Sequence, residues 1–163
     1  NSKHKPLVIN FDAHLDVRPT SQGLSSGTPF YRLLTDTQLG EFDFVEFGIQ
    51  AHCNSPSHYQ WAKDQGAKIL TLEELTLKNN FVQTALDTLA TLLISPRPTY
   101  LSIDMDSFSS AYAPGCSASY ATGFIPHEFF TLFRILNQRL DVRCLGLFEV
   151  SPPLDIDERT AKL

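Results

Sequence analysis

No apolar run in this sequence reaches the ~18 residues that a membrane-spanning helix requires. The opening stretch, Asn1-Ser2-Lys3-His4-Lys5, carries no secretory signal pattern. Cysteine is scarce: Cys53, Cys116 and Cys144 are odd in number, far apart, and form no CxxC pair. That excludes a disulfide framework and fits free thiols in a reducing compartment. Clustered Lys and Arg are missing too, and the net charge is -5, with 13 basic against 18 acidic residues. Nucleic acid and anionic membrane surfaces need basic patches, so neither is an expected partner. Repeats, low-complexity tracts and long linkers are absent. What these absences leave is a soluble cytoplasmic protein acting on a small molecule.

What is present is ordinary in bulk and specific in detail. The 163 residues are 42% hydrophobic and 19% charged, enough for one domain with a sizeable core. Short apolar runs alternate with helical stretches. Strands are predicted at Pro6 to Phe11, Phe42 to Ile49, Ala67 to Leu72, Thr99 to Ile103 and Cys144 to Val150. Ser55-Pro56 opens a predicted helix that runs to about Gln65 and stops at Gly66. Apolar residues at helical spacing predict two more, Asn80 to Ile94 and Pro126 to Asn137, whose stripes are core rather than ligand sites. Strands alternating with helices imply an α/β fold, a mainly parallel sheet covered on both faces. Ligands bind such sheets beyond the carboxyl ends of the strands. Function is therefore expected just after Phe11, Ile49, Ile103 and Phe148.

Two of those positions open acidic clusters. Asp12, His14 and Asp16 recur at every second residue after the first strand, where an extended segment would place them on one face. Asp104 and Asp106 repeat the pattern after the fourth strand. Either segment alone also reads as a turn or helix cap. Together they put four carboxylates and one imidazole at the same sheet edge. Uncompensated, those carboxylates would repel one another and raise their pKa values. A pair of divalent cations removes the repulsion, and oxygen-rich ligation with a single nitrogen suits Mn2+ over Zn2+ or Cu2+. Two such ions can share a water and lower its pKa.

Asp12-Ala13-His14-Leu15-Asp16 resembles the DAHxD motif of the arginase/agmatinase/formimidoylglutamase (ureohydrolase) family. Ser102-Ile103-Asp104-Met105-Asp106, followed by Ala113-Pro114-Gly115, is similar to a second family segment. Glu149-Val150-Ser151-Pro152, with Asp155 and Thr160-Ala161, is similar to a third, in family order. The resemblance implies a three-layer α/β/α arginase-like fold and two Mn2+ ions per site. It implies Asp12 and Asp104 as bridging ligands, Asp16 on the first ion, and His14 and Asp106 on the second. Glu149 would face the amidine-like group of the substrate.

The family also uses a His from a glycine-rich element upstream of DAHxD, and nothing like it occurs here. His4 lacks the glycines and reads as an exposed terminal residue. Residues 1–163 are therefore expected to be an incomplete domain, short of N-terminal strands and of the C-terminal end. Arginases place a His where this chain has Ser26, in Ser25-Ser26-Gly27-Thr28-Pro29. That loop, Asp16-Val17-Arg18-Pro19 and Ser117-Ala118 look more like formimidoylglutamases. Arg18 and Ser26 are thus candidate substrate contacts, Arg18 through a bidentate grip on a carboxylate or, alternatively, as an ion-pair partner of Asp16.

The reaction implied is hydrolysis of N-formimidoyl-L-glutamate to glutamate and formamide, a step of histidine metabolism, with Asp106 and Glu149 as the catalytic residues. The nearest alternative is a guanidino substrate releasing urea. A non-catalytic binding protein of the same fold is a third reading, and a two-metal phosphoesterase a fourth; the last would want basic groups near the ions, and only Arg18 qualifies. Gln50 and His52 end the second strand and are minor candidates for substrate contact. His58 and His127 read as helix residues without a catalytic role. A homo-oligomer is compatible with the resemblance, and no surface signal in the sequence decides it.

Overall fold

The computed structural model describes residues 5–77 and 80–163. His4 therefore lies outside the described residues. Five strands form: β1 (Leu7–Phe11), β2 (Asp43–Ile49), β3 (Lys68–Thr71), β4 (Pro98–Asp104) and β5 (Asp141–Phe148). All pair in parallel in the order β3-β2-β1-β4-β5. β1 is apolar but for Asn10 and all its side chains are buried, as a central parallel strand requires.

Helices α1 (Pro29–Thr35) and α2 (Pro56–Asp64) cover one face of the sheet. Phe30 and Ala62 meet Val8, Phe44 and Ile49 there. Helices α3 (Leu72–Thr76), α4 (Phe81–Leu89) and α5 (Pro126–Arg139) cover the other, where Leu75, Phe81, Phe129 and Leu136 meet Leu7, Ile9, Phe11 and Phe47. A short α6 (Arg159–Lys162) closes the chain. The expected α/β/α layering is what forms.

Boundaries moved for local reasons. The helix expected to reach Ile94 ends at Leu89 and tightens into a 3-10 turn over Ala90–Leu92, a common way to satisfy terminal carbonyls. β5 begins at Asp141 rather than Cys144 and stops at Phe148, because Glu149 turns left-handed with φ of 60°. α1, α3 and α6 were not foreseen. α3 did carry a readable start, since Thr71 and Glu74 form a capping box.

The strand order places the site. From β1 the chain steps outward through β2 to β3, then returns to set β4 on β1's other side. Between the carboxyl ends of β1 and β4 the direction of winding reverses, which opens a crevice. Asp12 follows β1 at that crevice, and Asp104 ends β4 beside it.

Candidate metal centre

The two acidic segments use one local device twice. Asp12 Oδ1 accepts from the backbone N–H of His14 at 2.7 Å. Asp104 Oδ1 accepts from the backbone N–H of Asp106 at 2.9 Å. Each first Asp closes an Asx turn on the amide two residues ahead. The turn bends the chain out of the strand and brings the second residue back beside the first. The sequence reading expected an extended segment with alternating side chains. The structure instead ends β1 at Phe11 and gathers Asp12 and His14 by this turn. Asn54 pins the bend, donating to Ala13 O at 2.8 Å and accepting from Leu15 N at 2.9 Å. Asp16 completes it in the left-handed region, with φ of 49°.

Across the crevice, His14 Nδ1 lies 3.0 Å from Asp106 Oδ2 and 3.5 Å from Asp12 Oδ1. Donor atoms of Asp12, His14 and Asp106 all fall within 4.8 Å of one another. Asp16 and Asp104 line the same cleft, outside that tightest triad. Asp106 Oδ1 is buried without a hydrogen-bond partner. A buried orphan oxygen is costly unless something else takes its lone pairs.

Electrostatics point the same way. Burial, with the Asp12 and Asp106 charges behind it, pushes the Asp104 carboxyl up to about 9. Burial and Asp12 push Asp16 up to about 7. Burial raises Asp12 as well. His14 is raised to about 11 by its hydrogen bonds to Asp106 and Asp12. Without cations, this cluster relieves its own repulsion by holding protons. A divalent ion would replace those protons and engage the orphaned oxygen. Oxygen donors with one imidazole fit Mn2+. Cys116 sits beneath, its thiol pushed up to about 12 by burial and the Asp106 charge, which makes a thiolate nucleophile unfavourable.

A cleft of about 570 Å³ opens over the cluster, with Arg18, Ser26, Ser117 and Glu149 among its lining residues. Glu149 Oε2 accepts from Ser117 Oγ at 2.6 Å. The third sequence element holds that arrangement together. Thr160 Oγ1 accepts from Gly115 N at 2.7 Å, and Ser151 N donates to Gly115 O at 2.7 Å. Asp155 in turn accepts from the amides of Thr160 and Ala161. Gly115 is required there, because a Cβ would meet Asp155 Cβ at 2.6 Å.

Arg18 is exposed and lies across Gly27, where an added Cβ would stand 2.8 Å from its Nε. Among the described residues it forms no ion pair, so the alternative pairing with Asp16 is not made. Among the described residues it is also the only Lys or Arg lining the cleft, which disfavours the phosphoesterase reading. Ser26 is exposed at the rim. Gln50 turns away from the cleft and is tied to Thr122 through both ends of its amide. His52 is exposed with its ring edge-on to Tyr120, and His58 and His127 lie in the first turns of α2 and α5.

The sequence reading missed four residues. Tyr120 OH reaches to 3.4 Å from His14 Nε2, and nothing in its neighbourhood announces that. Ser117 was noted only as a point of family likeness, not as the partner of Glu149. Asn10 and Glu46 did leave a signal: each is the lone polar interruption of an otherwise apolar stretch, in VINF and VEF.

A model of the arginase family matches residues 1–163. A formimidoylglutamase of Legionella pneumophila (strain Paris) is 36% identical over 160 residues, covering 96% of this chain and 50% of the relative. Among solved structures, the formimidoylglutamase of Bacillus subtilis aligns with a TM-score of 0.86 at 29% identity, over 98% of this chain and 50% of its own. A Trypanosoma cruzi formiminoglutamase crystallised with Mn2+ aligns with a TM-score of 0.80 at 32% identity, over 94% and 50%. The chain spans about half the length of the curated relatives it matches.

Proposed function

The chain belongs to the arginase family, and from there we propose that the full-length protein is a manganese-dependent hydrolase of N-formimidoyl-L-glutamate, yielding L-glutamate and formamide. The observation that carries the metal part is the convergence of Asp12, His14 and Asp106 within 4.8 Å, with the Asp106 Oδ1 orphan among them. The substrate part is supported by relatives that bear the formimidoylglutamase name. In this reading Asp12, His14, Asp16, Asp104 and Asp106 hold two Mn2+ ions. When bound, such ions lower the pKa of water towards neutrality and polarise the group it attacks.

The chain's own residues do the rest. Glu149, fixed by Ser117, offers its free oxygen to a cationic amidinium at the cleft. Arg18, exposed and without an ion-pair partner among the described residues, is free to grip a substrate carboxylate. Water oxygen adds to the amidine carbon and the bond to the glutamate nitrogen breaks. Asp106 carries a proton to that departing nitrogen. With Ser26 at the rim, the relay uses Asp106 and water alone. A soluble cytoplasmic enzyme of histidine metabolism is part of the same reading, in keeping with three free cysteines. No described helix is long and apolar enough to cross a membrane.

The test is product analysis. Full-length protein loaded with Mn2+ is given N-formimidoyl-L-glutamate, arginine and agmatine separately. Formamide from the first alone supports the proposal. Urea from either guanidino compound would keep the metal centre and overturn the substrate.

A further inference from the structure

Glu46 is a fully buried carboxyl in the middle of a sheet, an expensive position for an acid. It is in register with Asn10 on β1, which is in register with Ser102 on β4. These three polar side chains form a row across one face of the sheet, just below the carboxylates of the metal centre. Asn10 Nδ2 donates to Glu46 Oε2 at 2.9 Å and to Asp12 Oδ2 at 3.1 Å. An amide nitrogen carries two hydrogens, so both are spent. Asp12 Oδ1 meanwhile accepts from His14 N. His14 Nδ1 also approaches Asp12 Oδ1, at 3.5 Å, so it is Oδ2 that the Asn10 amide alone holds among the described residues, leaving that oxygen a lone pair for a cation.

We infer that Glu46 and Asn10 act as a positioning pair that aims Asp12 into the metal centre. The inference rests on the proposed function and extends it to residues outside the ligand set. Glu46 touches neither substrate nor ion. It anchors the far end of Asn10, so that the amide cannot rotate and release Asp12. Outer partners of this kind typically alter metal affinity by about 10- to 100-fold.

The experiment titrates the metal-free, full-length protein with Mn2+ and follows heat and thermal unfolding. Glu46→Leu is expected to weaken Mn2+ binding about 10- to 100-fold, while leaving the metal-free melting temperature unchanged or higher. A residue with a merely structural role would lower both. Glu46→Gln keeps an acceptor oxygen in the same shape and should restore wild-type affinity. Asn10→Ala removes the donor from the other end and should repeat the loss, which keeps the test intact if Glu46→Leu does not fold. The double variant should be no weaker than Asn10→Ala alone, because both act through one chain of bonds. Wild-type affinity in Glu46→Leu or Asn10→Ala, or additive losses, would overturn the inference alone. Failure of the wild-type protein to take up Mn2+ would overturn the proposed function, and the inference with it.

Discussion

On one side of β1, Leu7, Ile9 and Phe11 enter a core whose upper end is almost wholly aromatic. Phe11 meets Phe47, Phe124 and Phe129 with ring centroids 5.1 to 6.2 Å apart, and Phe108 packs on Phe129 at 4.7 Å. On the other side, Val8 is apolar, but Asn10 and then Asp12 rise towards a buried acidic cluster. The aromatic side gains stability from non-directional burial and edge-to-face contacts. The acidic side carries the cost of burying carboxyls close together: burial first, and neighbouring carboxylates after it, raise Asp12, Asp16 and Asp104. Two left-handed residues, Asp16 and Glu149, add local strain to it. One strand thus carries apolar burial on one face and leads to the acidic cluster on the other, one residue out of phase with nothing but the pleat to separate them.

Breaking the aromatic side should give the largest effect. Phe11→Ala is expected to cost about 3–5 kcal/mol of stability, read from denaturant unfolding. A loss near zero would mean that the ring cluster does not hold the sheet. Breaking the acidic side should do the opposite. Asp104→Asn in the full-length protein should lower turnover by more than about 100-fold, beyond the range for outer partners, yet leave the metal-free fold intact or firmer. A variant with two ions and full rate would refute the role given to Asp104.

The pH dependence sharpens the contrast. Asp104, Asp16 and His14 all have folded-state values above their ordinary ones, at about 9, about 7 and about 11. In the folded state they hold protons that the unfolded chain has released, so their contribution is greatest in acid and is lost as pH rises. For the two carboxyls the loss runs from about 4, their unfolded value, up to about 9. Melting temperatures measured with chelator should therefore fall across that window. Added Mn2+ should offset the fall, because binding displaces the same protons. A metal-free protein that grows more stable over the range would contradict the clustering. The smallest expected effect lies on the aromatic side again. Thr71→Ala removes the cap of α3, which seats Leu75 in that core, and should cost about 1 kcal/mol.

Much of this was legible without coordinates. The five strands and the parallel sheet follow from short apolar runs alternating with helical stretches, and the two acidic segments from the two runs that end in Asp. The apolar run at Cys144 to Val150 announced a strand, yet its burial was not legible. β5 is the sheet edge in the described structure, with Leu145 49% and Leu147 61% exposed. Glu46 shows the limit from the other side. The FDFVEFGI pattern marks it as the polar member of an alternating strand, which ordinarily means solvent, and it is fully buried instead.

The sequence by itself determined which residues gather at the acidic sheet edge, because strand period and strand ends are local properties of the chain. It placed Asp12, His14, Asp16, Asp104 and Asp106 at one sheet edge before any contact was known. Only the tertiary structure decided that His14 Nδ1 meets Asp106 across the crevice, that Gln50 turns away, and that Asn10 joins Glu46 to Asp12. Those contacts join residues as much as 92 positions apart, from His14 to Asp106, and depend on β4 returning to pair with β1. The hydrophobic pattern of each strand fixes which face its side chains take, but which strands become neighbours is settled only by the packing of the whole sheet.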